Sequence, residues 1–293
     1  MKIKATRKNK SEGFYQGLFF LTASISVLAV GLITVMIFYN AWPAFREIGL
    51  WDLLSGNKWT PTASNPLFGL LPMIVGSMVI TLLALVIGLP IGIATSIFLA
   101  ELAKGKFAAV LRRSVEMLAA VPSVVYGFVG LTLVVPFVQR LGGTGLSILS
   151  AGIILGVMIL PTMISVYEVS LRAVPSEFKE GSLALGASHW QTIGRVLIPA
   201  SRSGLLTAIA LSIGRAVGET MAVILVAGNI PLIPDSILDP ARTLTVNIIM
   251  EMGYVEPGSL HYSALFATGA ILFVFIMFIN IGVQLITRKA VKK

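Results

Sequence analysis

Six long apolar stretches decide what this chain can become. They run at about 17–39, 70–99, 114–138, 147–171, 203–229 and 263–287. Each reaches the roughly 20 residues that carry a helix across a hydrocarbon core. Lipid offers backbone N–H and C=O groups no partners, so stretches of this kind must satisfy themselves as helices. The ten-residue alternation of a membrane barrel does not occur. Only 12% of the residues are charged and the mean hydropathy is +0.91, against about a quarter charged in soluble domains. The expected fold is an all-α membrane protein with six transmembrane helices. It divides into a basic N-terminus (1–16), a six-helix transmembrane domain (17–287) and a short tail (288–293). Gly88, Pro90 and Gly92 predict a kink or a re-entrant continuation in the second stretch.

The net charge of +9 invites a nucleic-acid reading, but its distribution argues otherwise. Most of the 22 Lys and Arg gather at the N-terminus (Lys2, Lys4, Arg7, Lys8, Lys10), in the second-to-third connection (Lys104, Lys106, Arg112, Arg113), in the fourth-to-fifth (Arg172, Lys179, Arg195, Arg202) and in the tail. Arg46, Lys58, Arg140 and Arg242 lie on the opposite connections. Short cytoplasmic loops collect Lys and Arg, so both termini are expected in the cytoplasm and no nucleic acid is implied. The first apolar stretch exceeds the 7–15 residues of a signal-peptide core and lacks a small-residue cleavage site, so it is expected to stay as an anchor. With no cysteine there are no disulfides or thiolate metal sites, and His189 and His261 stand too far apart for a metal cluster.

The external loop 40–69 holds Trp42, Trp51 and Trp59. An interfacial aromatic belt ranks first, and a docking surface for an external partner stays open beside it. Gly88/Gly92, Gly152/Gly156 and Gly214/Gly218 have the small-residue spacing that lets helices approach closely in lipid. Pro122 and Pro161 are expected to kink their spans.

The connection 172–202 is longer than a turn between spans requires. Ser176 is placed to cap a helix, with Glu177 and Glu180 near its positive end. Leu183, Ala184 and Leu185 supply a small apolar surface. Gly186 permits a turn, and a second segment from about Ser188 returns to Pro199. An apolar surface outside the bilayer calls for a protein partner. Glu180-Gly181-Ser182, then Gly186, then Val196-Leu197-Ile198-Pro199 resembles the EAA loop of ABC-importer permeases, with two alanines replaced by Gly181 and Ser182. Over most of the chain, "FYNAWPAF", "FGLLPMIVGSMVITLLALVIGLPIGIATSIFLAE", "AAVPSVVYGFVG" and "GRAVGETMAV" resemble phosphate-specific permeases of the PstC type, within the MetI-like family.

The resemblance implies a prokaryotic inner-membrane permease. A PstA-like second permease chain would complete the pore, an ATPase dimer would dock on Glu180, Gly181, Ser182, Leu183, Ala184, Gly186 and Pro199, and an extracytoplasmic phosphate-binding protein would deliver cargo. This chain would bind no cofactor, ATP–Mg belonging to the ATPase. In agreement, it lacks G-x-x-x-x-G-K-[ST]; "AKGKF" at 103–107 is missing the first glycine and the hydroxyl residue.

Arg215 and Glu219 are the only charges between Ser203 and Asn229. Ionised groups at membrane depth cost about 2.5–3.5 kcal/mol on insertion scales and mark substrate routes. At i and i+4 they are expected on one helix face, paired. Arginine's fork suits a tetrahedral oxyanion, and a carboxylate accepts a bond from P–OH while repelling an ion without a proton. The pair therefore fits phosphate better than sulfate, although a purely structural pair is the competing reading. Thr220, Tyr126 and Ser123 could offer hydroxyls to the ion. Arg140 and Arg242 could attract anions, pair with the binding protein or simply be solvated, and Glu168, near the end of its span, is not expected to be a ligand. Alternatives kept open are a permease for phosphonate, molybdate or sulfate, an ion-coupled carrier with Glu219 as proton relay, and a non-transporting scaffold.

Overall fold

The computed structural model describes residues 10–291, with side chains described for 14–285. Most of the basic N-terminal segment and the last two tail residues lie outside it. Four helices are unbroken and apolar enough to span a bilayer: α1 (Lys10–Glu47), α3 (Leu71–Ile97, prolonged by a π-turn Phe98–Leu102), α7 (Ile148–Arg172) and α14 (Leu260–Val291). Counting each of two bent pairs as one span gives up to six. In the first, α4 (Gly105–Ala120) meets α5 (Ser123–Val129) and α6 (Val135–Gln139) at 96°. In the second, a segment ending at Ala200 meets α11 (Arg202–Gly218) at 70°. The third expected span is therefore no single rod. Pro122 cannot continue the helix begun by α4, and the chain turns there.

The second expected span does not break. Helix α3 runs through Gly88, Pro90 and Gly92 because α7 supports it. A Cβ on Gly88 would lie 2.7 Å from Ile159 and 2.8 Å from the Gly156 carbonyl, and one on Gly92 would lie 2.6 Å from Met163. The small residues of α3 and α7 thus receive large side chains of the other helix, in the most extensive helix pairing of the described residues. Gly214 and Gly218 differ, since nothing lies within 4 Å of a Cβ at either. Among the described residues, their spacing packs no helix.

Helix α7 begins where Ser147 Oγ accepts the Ser150 N–H at 3.2 Å and ends ahead of Pro175. It anchors the main core cluster around Ile154, Leu155, Met158 and Val226. A second cluster forms around the start of α3 from Leu53, Trp59, Phe68, Met73 and Leu265. There α2 (Leu50–Ser55) and a two-residue hairpin, β1 (Trp59–Thr60) and β2 (Leu67–Phe68), pack onto α14. Gly69 and Gly56 touch backbone to backbone, so that a Cβ on Gly69 would stand 2.2 Å from the Gly56 carbonyl carbon. Gly69→Ala is expected to cost about 2 kcal/mol by overpacking, read as a lowered melting temperature of the detergent-purified protein.

The three tryptophans of this region separate. Trp42 and Trp51 are exposed, but Trp59 is buried at 4% and does not belong to a belt. Between α12 (Met221–Val226) and α14 lies a short helix, α13 (Leu244–Glu251), capped by Thr243 Oγ1 on Val246 N at 3.3 Å.

Candidate functional site

The apolar fifth stretch carries the charged pair, and its helix does not run through it. Helix α11 stops at Gly218, Glu219 takes an extended conformation (φ −72°, ψ 130°), and α12 starts at Met221. The expected i, i+4 pairing is thereby overturned: among the described residues no ion pair joins Arg215 to Glu219. Each charge instead meets a helix end. Arg215 sits in the last turn of α11, at the negative end of its dipole. Glu219 precedes the first turn of α12, and its Oε1 accepts the Ala222 N–H at 3.2 Å. Helix ends of opposite sign stabilise such charges by up to ~2 kcal/mol when partly buried. The break therefore does what mutual pairing was expected to do, and leaves both groups free to face a third.

Arg215 Nη1 donates to Thr162 Oγ1 of α7 at 3.3 Å, one residue beyond Pro161. Tyr126, on α5, is within electrostatic reach of Arg215, and its hydroxyl donates to the Leu118 carbonyl at 2.8 Å, fastening the sharp bend. Ser123 opens α5 and is half-buried. Thr220 Oγ1 donates to the Gly218 carbonyl at 3.4 Å. Thr245, at the start of α13, donates to the Glu219 carbonyl at 3.2 Å. Arg215 and Thr162 are thus brought together from α11 and α7, with Glu219 and Thr220 at the break. Discontinuous helices of this kind are how membrane transporters present helix ends to ions.

The loop 172–202 forms two short helices. The first, α8 (Ser176–Ala184), starts one residue earlier than expected: Pro175 holds the cap position and Ser176 makes no capping hydrogen bond. Gly186 closes it with φ +83°, a backbone that glycine adopts without strain. Ser188 and Gln191 form a reciprocal capping box that starts α9 (His189–Thr192), followed by a π-turn and α10 (Ile198–Ala200), which contains Pro199. Ser182, where the EAA pattern has alanine, bonds to Thr192 Oγ1 at 3.0 Å and ties the two helices together. No residue of α8 is buried, so Glu180, Gly181, Leu183 and Ala184 are all available to a partner. Leu185 is 91% exposed and Trp190 67%. Trp190, on α9, escaped the sequence reading because it falls among the unspecified positions between Gly186 and Val196.

Three further polar contacts were not foreseen. Lys179 of α8 forms an ion pair with Glu101 at the end of α3. Glu168 does not reach out to the interface: it is buried, and both Arg112 (2.6 Å) and Arg172 (3.0 Å) donate to its Oε1. At the other end Arg242 is neither solvated nor free. Its Nη1 donates to Glu251 Oε1 at 2.7 Å, while Glu251 Oε2 accepts Trp59 Nε1 and meets His261 Nε2, both at 2.8 Å. Glu251 joins hairpin, α13 and α14. Removing one partner of a buried ion pair costs about 3–5 kcal/mol, so Glu251→Ala is expected to melt well below the wild type. Equal melting would show that the hairpin is held by its apolar contacts alone.

Residues 88–292 match the family model described as "Binding-protein-dependent transport system inner membrane component". The chain is 38% identical over 289 residues to the Probable ABC transporter permease protein YqgH of Bacillus subtilis, covering 95% of this chain and 94% of that protein. It is 34% identical to the Phosphate transport system permease protein PstC of Mesorhizobium japonicum, covering 86% and 83%. Among solved structures, a bacterial ABC transporter importing the acidic polysaccharide alginate matches with a TM-score of 0.65 at 16% identity, over 94% of this chain and 96% of that one. The MetNI methionine ABC transporter in an inward-facing conformation matches with 0.59 at 21%, over 83% and 98%. At these identities the structures speak for the fold.

Proposed function

Since the chain belongs to the family of binding-protein-dependent transport system inner membrane components, and is a multi-pass inner-membrane permease subunit of an ABC importer and not an enzyme, we propose that its cargo is inorganic phosphate. The observation carrying this reading is the run of relatives named PstC phosphate permeases, at 34%, 31% and 32% identity over 86%, 98% and 89% of this chain. The site's chemistry supports it. A guanidinium and a carboxylate, each held at a helix end, can together meet an oxyanion that still carries a proton.

In this reading Arg215 receives the phosphate oxygens and Glu219 accepts the P–OH proton. Thr220, Tyr126 and Ser123 stand along the route. A PstA-like chain completes the pore, and an extracytoplasmic phosphate-binding protein loads it. An ATPase dimer, which holds ATP–Mg, grips the surface around Glu180, Gly186 and Leu185, and both chain termini lie on that cytoplasmic side. Occupancy at Arg215 is weak and transient, because tight binding would trap the ion.

The test is reconstitution. The chain is placed in vesicles with the second permease, the ATPase and the loaded binding protein, and accumulation of labelled phosphate is followed with and without ATP. ATP-dependent uphill uptake of phosphate, with sulfate excluded, is the expected result. Uptake of sulfate at the same rate, or uptake by the purified chain alone under a proton gradient, would overturn the reading.

A further inference from the structure

We infer that the cleft between α4 and α7, at the end of the bundle bearing the 172–202 loop, is a second binding site for a phosphate group. Two guanidiniums are locked there in parallel. Nε of Arg112 and Nε of Arg172 both donate to Glu168 Oε1, at 2.6 and 3.0 Å, and Nη2 of each donates to the Leu99 carbonyl, at 3.3 and 2.7 Å. Nη1 of neither takes part in any hydrogen bond seen among the described residues. Each arginine is thus held by one edge and offers the other. An arginine fixed in this way loses little freedom on binding, and its free fork suits a tetrahedral oxyanion. The side chains are 36% and 44% exposed, so the offered edges are reachable.

Glu168 neutralises only one of the two cations. The cleft measures about 310 Å³, at the small end of ligand pockets, which suits a phosphate group with some hydration. Its wall also holds Ser165 and Glu116. Glu116 can accept a P–OH proton, which repeats the Arg215–Glu219 chemistry. The cleft and the first site both draw on α7. Thr162, which receives Arg215, stands three residues before Ser165 and ten before Arg172, so all three share one face of the helix. Ten residues span about 15 Å of helix. An ion leaving Arg215 toward the loop end would therefore meet the two arginines next. That transit role rests on the proposed function. The phosphate-group chemistry does not, and the headgroup of an anionic lipid would satisfy it equally.

The complex of both permease chains and the ATPase, without binding protein and in phospholipid-free detergent, is titrated with inorganic phosphate and followed by ³¹P line broadening. An Arg215→Gln background removes the first site. Broadening is expected with Arg112 and Arg172 intact, and is expected to fall at least threefold in the Arg112→Lys/Arg172→Lys double variant, which keeps both charges beside Glu168 but lacks the forks. In a second arm, phosphatidylcholine vesicles with and without phosphatidylglycerol are compared by melting temperature. Stabilisation by phosphatidylglycerol that the double variant loses, without response to inorganic phosphate, would identify a lipid headgroup as the source. If the double variant responds like its parent to both probes, the site does not exist. ATP-driven uptake in the same preparation, with Arg215 restored, separates failure of this site from failure of the phosphate reading.

Discussion

Glu219→Gln is expected to lower ATP-driven phosphate uptake at least tenfold at equal expression, and Arg215→Lys to do the same. The glutamate variant keeps the shape of the side chain and can still accept the Ala222 N–H with its amide oxygen, so the helix break should survive. What it loses is the charge with which the second carboxylate oxygen would receive P–OH. Hydrogen bonds to charged groups contribute about 1.5–3 kcal/mol, and each 1.4 kcal/mol is a factor of ten. Lysine at 215 keeps the cation at the α11 terminus and gives up the planar fork, so a loss there isolates geometry from charge. Thr162→Val should fall less, since it only releases the guanidinium from one neutral partner at 3.3 Å. Uptake at the wild-type rate in both charged-site variants would remove the helix break from the route.

Leu185→Asp is expected to reduce recovery of the ATPase with the purified permease by tenfold or more. The residue is 91% exposed, so the chain itself loses no packing and should fold as before. If the ATPase covers that leucine, burying it is worth about 1.5–3 kcal/mol, and forcing a carboxylate into the same groove adds a desolvation penalty. Trp190→Ala on the neighbouring α9 should act in the same direction, since buried aromatic side chains dominate interface energies. The measurement is the ATPase-to-permease ratio after affinity purification through the permease. An undiminished ratio in both variants would place the docking surface elsewhere.

Much of this architecture is legible in one dimension. Apolar length identified the spans, because backbone satisfaction in lipid is a local condition that a run of about twenty residues meets or fails. The turn at Gly186 and the return to Pro199 follow equally from residues close in sequence. The close approach of α3 and α7 was legible as glycine spacing, yet the same spacing at Gly214 and Gly218 packs against nothing among the described residues. Spacing shows that an approach is permitted; it does not show which surface makes it.

The charged site divides along the same line. Composition alone establishes that Arg215 and Glu219 are costly and need compensation, because the penalty depends only on their being ionised in an apolar segment. How they are compensated was decided in three dimensions. The helix ends at Gly218, which gives each charge a helix terminus of opposite sign, and Arg215 finds its partner 53 positions away. Glu168 likewise serves an arginine 56 residues distant, and Trp59 finds Glu251 across 192. Hydropathy and periodicity sum over neighbours along the chain. A buried polar group is satisfied by whatever the packing of distant helices brings within 3 Å, and no local pattern encodes that.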